Sequence, residues 1–398
     1  MTNTLKTIGA IFAFITIAVS CRKTDSDTAI SLVQNAVKTA FGGNIDLNNL
    51  SNYSAQGKPA YVTKDNFGGN TLSNSKGTLG RVLFYDKQLS VNNTISCSSC
   101  HKQEFAFGDS AMVSKGVFGG ITQRHSMRLV NTRFAVESKF FWNERAASLE
   151  QQTTQPIRDH NEMGFSGLEG RPGMENLLVK LKGIAYYTEL FKFVYNDQDI
   201  TETRLQECLA HFIRSIQSFD SRYDAGRAQV ANDNQNFPNF TQVENLGKNL
   251  FISPPVFDGN SSRIAGGAGC NACHNAPEFD IDPNSRNNGI TGVIGNPNTR
   301  DFANTRSSSL RDLNRPAGGS NGPLMHTGIP DLRAVINHYQ TINSGQNTNL
   351  DPRLAPNGIG QKLNLTPNES NAIIAFLATL SGTKIYSDSR WANPFITQ

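Results

Sequence analysis

The sequence predicts a mainly α-helical chain of two domains with long loops and few strands. Three observations lead there. Apolar residues recur at helical spacing, as in Leu205, Cys208, Leu209, Phe212, Ile216 and Phe219. The 34 glycines, among many asparagines, supply turns rather than strands. The pattern Cys-x-x-Cys-His occurs twice, at Cys97–His101 and Cys270–His274, far enough apart for one copy per domain. A chain of 398 residues, 37% hydrophobic and 18% charged, has the material to bury such cores. Its net charge of +4, from 37 basic and 33 acidic residues, is small and dispersed and argues against a nucleic-acid partner. The only long apolar stretch is N-terminal, which excludes an integral membrane bundle.

In chain order, Lys6 precedes an apolar run, Ile8 to Val19, that ends in Ala18-Val19-Ser20-Cys21. The run has the layout of a secretory signal and is too short to span a bilayer. A cysteine directly after small residues looks like a bacterial lipoprotein lipidation site, although Ala18 stands where leucine is more usual. Residues 1–21 are therefore expected to be a lipoprotein-type signal. The mature chain is expected on the periplasmic side of the cell envelope, touching membrane only through a lipid on Cys21. Residues 22–70 read as a polar tether with a short helix near Ile30 to Phe41. Residues 71–228 form the first expected domain. Within it Leu79-Gly80 to Asp86 leads into the first motif, and a helix from Thr201 to Phe219, followed by Ser221 to Asp224, closes it. Residues 229–398 form the second, with Gly247 to Phe251 before its motif and a final helix from Glu369 to Leu380.

The repeated motif carries the chemistry. Two thiols three positions apart on one turn can each add to a haem vinyl group, and the adjacent histidine can ligate the iron. Cys97, Cys100 and His101, and again Cys270, Cys273 and His274, are thus expected to hold two covalent c-type haems. A redox Cys-x-x-Cys pair or a zinc site would not need the following histidine twice. Cys208, in an apolar helical stripe, reads as a core residue. The domains become cytochrome c-like haem domains on this reading.

The segment Phe140-Phe141-Trp142-Asn143-Glu144-Arg145-Ala146-Ala147-Ser148-Leu149-Glu150, continuing to Gln152, Pro156, Glu162, Met163 and Gly164, adds specificity. With Leu83-Phe84-Tyr85-Asp86 and Leu89-Ser90, it resembles the bacterial dihaem cytochrome c peroxidase family, which includes MauG, from about Leu79 to Gly382. The resemblance implies a peroxidatic haem at His101 and an electron-transfer haem at His274. It implies that Trp142 relays electrons between them, that Glu162 moves the peroxide proton, and that Gln152 lines the distal pocket. Taken alone, Trp142 would read as a core aromatic and Glu162 as a solvated helix-end charge.

For the second iron, Tyr339, Met325 and His338 all stand as candidate sixth ligands. Tyr339 aligns with the position that is methionine in ordinary peroxidases and tyrosine in MauG; an anionic oxygen lowers the potential, whereas a thioether raises it. Ordinary peroxidases carry a blocking histidine in the loop that here reads Ser114 to Gly120 and has none, which implies an open first haem. His125 is the nearest switchable ligand, but it occupies the family's calcium-binding asparagine position. An interdomain calcium would then rely on backbone oxygens near Asn321 and Pro323. His160 and His211 read as structural.

The leading expectation is an exported cytochrome-c peroxidase that reduces hydrogen peroxide with electrons from a small cytochrome c or cupredoxin. A homodimer is a further implication of the resemblance. The alternative is a MauG-like oxidase that acts on a protein or organic substrate through a high-valent iron state. A non-catalytic electron carrier or haem sensor is the third reading, and Glu162 and Trp142 argue against it.

Overall fold

The computed structural model describes residues 36–135 and 139–396. The expected signal and lipidation site at Cys21 lie outside the described residues, as do residues 30–35 of the expected short helix; the chain is helical over 36–41. Helices dominate: α1 (Asn74–Tyr85), α2 (Cys97–Cys100), α3 (Leu149–Arg158), α4 (Met174–Lys182), α5 (Ala185–Tyr195), α6 (Glu202–Ser215), α7 (Arg222–Arg227), α8 (Gln242–Ile252), α9 (Leu332–Gln340) and α10 (Pro367–Ala378). Among the described residues the strands form three small antiparallel ribbons. They are β1 (Pro255–Phe257) with β2 (Arg263–Gly266), β3 (His274–Asn275) with β4 (Asp280–Ile281), and β5 (Gly292–Val293) with β6 (Asn296–Arg300). Among the described residues no helix is long and apolar enough to cross a membrane.

Local chemistry starts these helices where they start. Ser73 Oγ accepts the Lys76 amide at α1. Thr241 with Glu244 at α8, and Thr366 with Glu369 at α10, form reciprocal capping boxes. The α6 helix stops at Ser215, short of the Phe219 expected from its apolar stripe. There the chain turns extended and pairs with Asn131, whose side chain accepts the Ser218 amide at 2.8 Å and donates to the Ser218 carbonyl at 3.0 Å. A helix continued to Phe219 would lose both bonds.

Two apolar cores result. The first gathers Leu79, Leu83, Phe84, Phe107, Leu205, Leu209 and Phe212, and the second Tyr223, Phe251, Phe279, Ile373 and Phe376. The change from one to the other falls between Ile216 and Tyr223, slightly before the boundary at 228 read from the sequence. The chain's end also crosses back, burying Ile385 and Trp391 in the first core. The Trp391 carbonyl accepts the Tyr85 hydroxyl at 2.6 Å, and its indole donates to Ser215 Oγ at 3.3 Å.

Each core is built on one close helix crossing. On α1, a Cβ at Gly80 would lie 1.9 Å from the Cys208 carbonyl oxygen of α6. On α8, a Cβ at Gly247 would lie 1.8 Å from the Ala372 carbonyl oxygen of α10. Both glycines sit in the same local pattern, Leu79-Gly80-Arg81-Val82-Leu83-Phe84 and Leu246-Gly247-Lys248-Asn249-Leu250-Phe251, each leading into a Cys-x-x-Cys-His turn. Cys208 is fully buried, as its place in the apolar stripe predicts.

Because backbone rather than a flexible side chain occupies the space, Gly80→Ala or Gly247→Ala must push the helices apart. Each is expected to destabilise the chain by about 1–3 kcal/mol or more. Gly43→Ala, where a Cβ meets nothing within 4 Å, is expected to leave the midpoint unchanged. Thermal unfolding followed by circular dichroism checks the contrast.

Candidate active site

The first motif forms one tight turn. The His101 amide donates to the Cys97 carbonyl at 2.9 Å, and the Ser96 amide to Ser99 Oγ at 3.0 Å. His101 Nδ1 lies 3.0 Å from the Phe107 carbonyl, which fixes it as the protonated nitrogen and leaves Nε2 with the lone pair that could ligate an iron. Burial holds the imidazole below its usual range, in the neutral ligating form. The second turn, Cys270–Ala272, is closed by the Cys273 amide on the Cys270 carbonyl at 3.2 Å. Burial, then the nearby Arg353, brings His274 down to about 4. Its Nδ1 has no hydrogen-bond partner among the described residues. The four motif thiols are free.

Cys97, Cys100 and His101 open onto a cavity of about 420 Å³, a size suited to a cofactor. Trp142, Gln152 and Glu162 line the same cavity. The residues present fit a haem. The thiols and imidazole share one wall, and four arginines (124, 128, 145 and 306) outnumber Asp159, Glu162 and Asp280 around a space meant for a group with two carboxylates. Arg128 is 8% exposed, and its Nε has no partner among the described residues, so an anion there would relieve a buried charge.

Glu162 is held from both sides. At the end of α3 the Asp159 carboxylate accepts the amides of Asn161 (2.8 Å) and Glu162 (3.0 Å). The Val117 amide donates to the Glu162 carbonyl at 3.0 Å. Val117 belongs to the loop from Ser114 to Gly120, whose glycines let it lie against this segment; a Cβ at Gly116 would fall 1.8 Å from the Asn161 carbonyl oxygen. Burial raises the Glu162 carboxyl to about 7; Asp159 pushes the same way, and the Arg145 cation opposes. Burial also raises the Cys97 thiol to about 12 and the Cys100 thiol to about 11, with Glu162 contributing to both.

Trp142 stands where the halves of the chain meet. Its indole donates to the His125 carbonyl at 2.8 Å, and its ring lies 6.0 Å from that of His326. Its own carbonyl accepts the amides of Thr305 (2.9 Å) and Arg306 (3.0 Å). The His125 ring, which lines the first cavity, is tied by Nδ1 to the Ala111 carbonyl at 2.9 Å. His160 meets Ser166 Oγ, and His211 lies between the Glu207 and Thr71 carbonyls.

Near the second turn the three candidate ligands converge on Asn288. Its side-chain amide nitrogen lies 3.5 Å from Met325 Sδ and 3.3 Å from Tyr339 Oη, and its backbone carbonyl lies 2.9 Å from His338 Nε2. His338 is committed to that carbonyl. Met325 and Tyr339 share one amide and therefore one neighbourhood. Burial raises the Tyr339 phenol; the Asn288 amide opposes this, while Cys273 and Cys270 add to it, which places the ring by the second haem turn. Sequence reasoning missed Asn288, which sits unmarked among many Asn-Gly loops. It also missed Arg145 as a partner of Glu162, although Arg145 lies inside the motif segment.

Residues 74–232 match the family model described as di-haem cytochrome c peroxidase. The chain is 28% identical over 320 residues to the methylamine utilization protein MauG of Methylophilus methylotrophus, covering 79% of this chain and 84% of that one. It is 25% identical over 305 residues to the cytochrome c551 peroxidase of Nitrosomonas europaea, covering 76% and 79%. Among solved structures it is similar to a MauG-like protein associated with microbial copper homeostasis, with a TM-score of 0.63 and 27% identity over 85% of this chain and 98% of that one. The diheme peroxidase BthA of Burkholderia thailandensis shares the fold, with a TM-score of 0.58 at 19% identity over 86% and 96%. That similarity implies two c-type haems, which the two Cys-x-x-Cys-His turns fit. Residues 74–232 of the chain are thus similar to the di-haem cytochrome c peroxidase family, and 79% of its length to a MauG protein.

Proposed function

We propose that the chain is an exported dihaem peroxidase that reduces hydrogen peroxide to water with electrons from a small cytochrome c or cupredoxin. The observation that carries this is Glu162, a carboxyl brought to about 7 on the wall of the cavity that also holds Cys97, Cys100 and His101. Reduction of one peroxide to two waters takes up two electrons and two protons. When bound, two haems would supply irons that exchange electrons, one held by Cys97, Cys100 and His101 and the other by Cys270, Cys273 and His274. Glu162, poised near neutrality, takes the proton from one peroxide oxygen and returns it to the other. Arg145 keeps that carboxyl from rising further, and Gln152 offers an amide to orient the oxygens. Trp142 is clamped at its indole and at its carbonyl, a rigid aromatic suited to electron relay. Export and a lipid on Cys21 complete the reading and rest on residues 1–21.

The family's second activity, oxidation of a protein or organic substrate as in a MauG-like enzyme, is favoured by one observation. The phenol of Tyr339 shares the Asn288 amide with Met325, so an oxygen ligand is as close to hand as a thioether.

Glu162→Gln is expected to lower peroxide turnover with a reduced donor by about 10²–10⁴-fold while both haems stay attached. Unchanged turnover would remove the assignment. In the parent, turnover is expected to rise with pH through about 7 as Glu162 ionises, and this limb is absent from the variant. Arg145→Leu removes the charge that lowers the Glu162 pKa and moves the limb to higher pH; Asp159→Asn moves it lower. Rate profiles of the three variants check the signs. Cys21→Ala is expected to shift the chain from the membrane fraction to the soluble fraction on cell fractionation.

A further inference from the structure

A second cavity of about 470 Å³ lies beside the first and shares two wall residues with it, Phe140 and Leu149. Helix α3 forms the partition: Glu150 faces the second cavity, whereas Gln152 and Thr153 face the first. Gly68, Gly69 and Thr203 are exposed at the rim, while Phe140 (6% exposed) and Leu149 (1%) form the floor. The walls are polar and balanced in charge. Lys76 pairs with Glu207 at 2.8 Å, and Arg214 makes a two-point contact with Glu150. Two cations against two anions leave no net charge, so the cleft suits a small, neutral, hydrogen-bonding guest better than an ion or an apolar molecule.

We propose that this cleft is the entry chamber for the oxidant. Hydrogen peroxide, neutral and able both to donate and to accept hydrogen bonds, collects there and passes between Phe140 and Leu149 to the wall that carries Gln152 and Glu162. The identity of the guest rests on the peroxidase reading; the route does not. Phe140 is suited to be the moving part. Its backbone is anchored, the amide donating to the Ala146 carbonyl at 2.9 Å, so its ring can swing without unfolding the segment. The Arg306 guanidinium lies 5.0 Å from the ring and draws it back to the closed position.

Gly69 allows a direct test, because a Cβ there meets nothing within 4 Å and the cleft has room for a side chain. Cyanide binding to the oxidised holoprotein, followed by stopped-flow absorbance, reads the route without turnover. Gly69→Trp is expected to slow cyanide association by about tenfold and Phe140→Ala to speed it by at least about threefold. A residue that lies only on the route changes entry and exit alike, so the cyanide Kd of Gly69→Trp is expected to match the parent. The proposal is overturned if Gly69→Trp, with parental haem content and circular dichroism, binds cyanide at the parental rate, or if its Kd rises in step with the slower association. The two readings fail separately: unchanged peroxide turnover in Glu162→Gln removes the peroxidase reading, whereas the slowed cyanide association of Gly69→Trp is read without turnover and does not depend on it.

Discussion

Two helices can approach until backbone meets backbone only where one of them has no Cβ, and this chain uses that rule twice. Gly80 lies against the Cys208 carbonyl and Gly247 against the Ala372 carbonyl. Each crossing draws the helix before a Cys-x-x-Cys-His turn onto the helix that closes the same core. The position of the crossing therefore sets where the thiols and the imidazole stand. Phe84, one turn beyond Gly80, reaches from the first core into the wall of the haem cavity. The steric contact places the turns, and polar bonds then orient His101 and Glu162 within that frame.

On that frame the electrostatics are arranged against the ordinary preference of buried groups. A carboxyl out of water costs stability when ionised, which is why Glu162 is raised to about 7. Arg145 stops the rise near neutrality, and backbone bonds from Val117 and to Asp159 keep the residue at the cavity wall. A buried acid placed this way can give up or accept a proton at little cost. The excess of arginines around the same cavity is the complementary feature, because it suits an anionic cofactor that brings its own carboxylates.

Trp142 joins the two halves physically. Residues from three separate stretches, at His125, at Thr305 and Arg306, and at His326, hold or flank it. The crossing of the C-terminal segment back to the first core, through Ile385 and Trp391, adds a second tie between the halves. Relative motion of the two cores is restrained at both places.

The haem turns and the helical stripes were legible in the primary structure, because covalent attachment and helix burial both demand short, regular spacings; Trp142, Gln152 and Glu162 were marked there only by the family resemblance. The end of α6 was not, since Asn131, remote in the chain, stops it. Nor was the role of Asn288, whose importance comes only from the company of Met325, His338 and Tyr339. The sequence by itself determined which residues could attach haem and to which family the chain is similar. Only the tertiary structure decided that Glu162 titrates near neutrality, that Trp142 is clamped between halves and that a polar cleft abuts the haem cavity. Burial, the placement of charges and the shape of a cavity depend on groups far apart along the chain, and no local pattern encodes them.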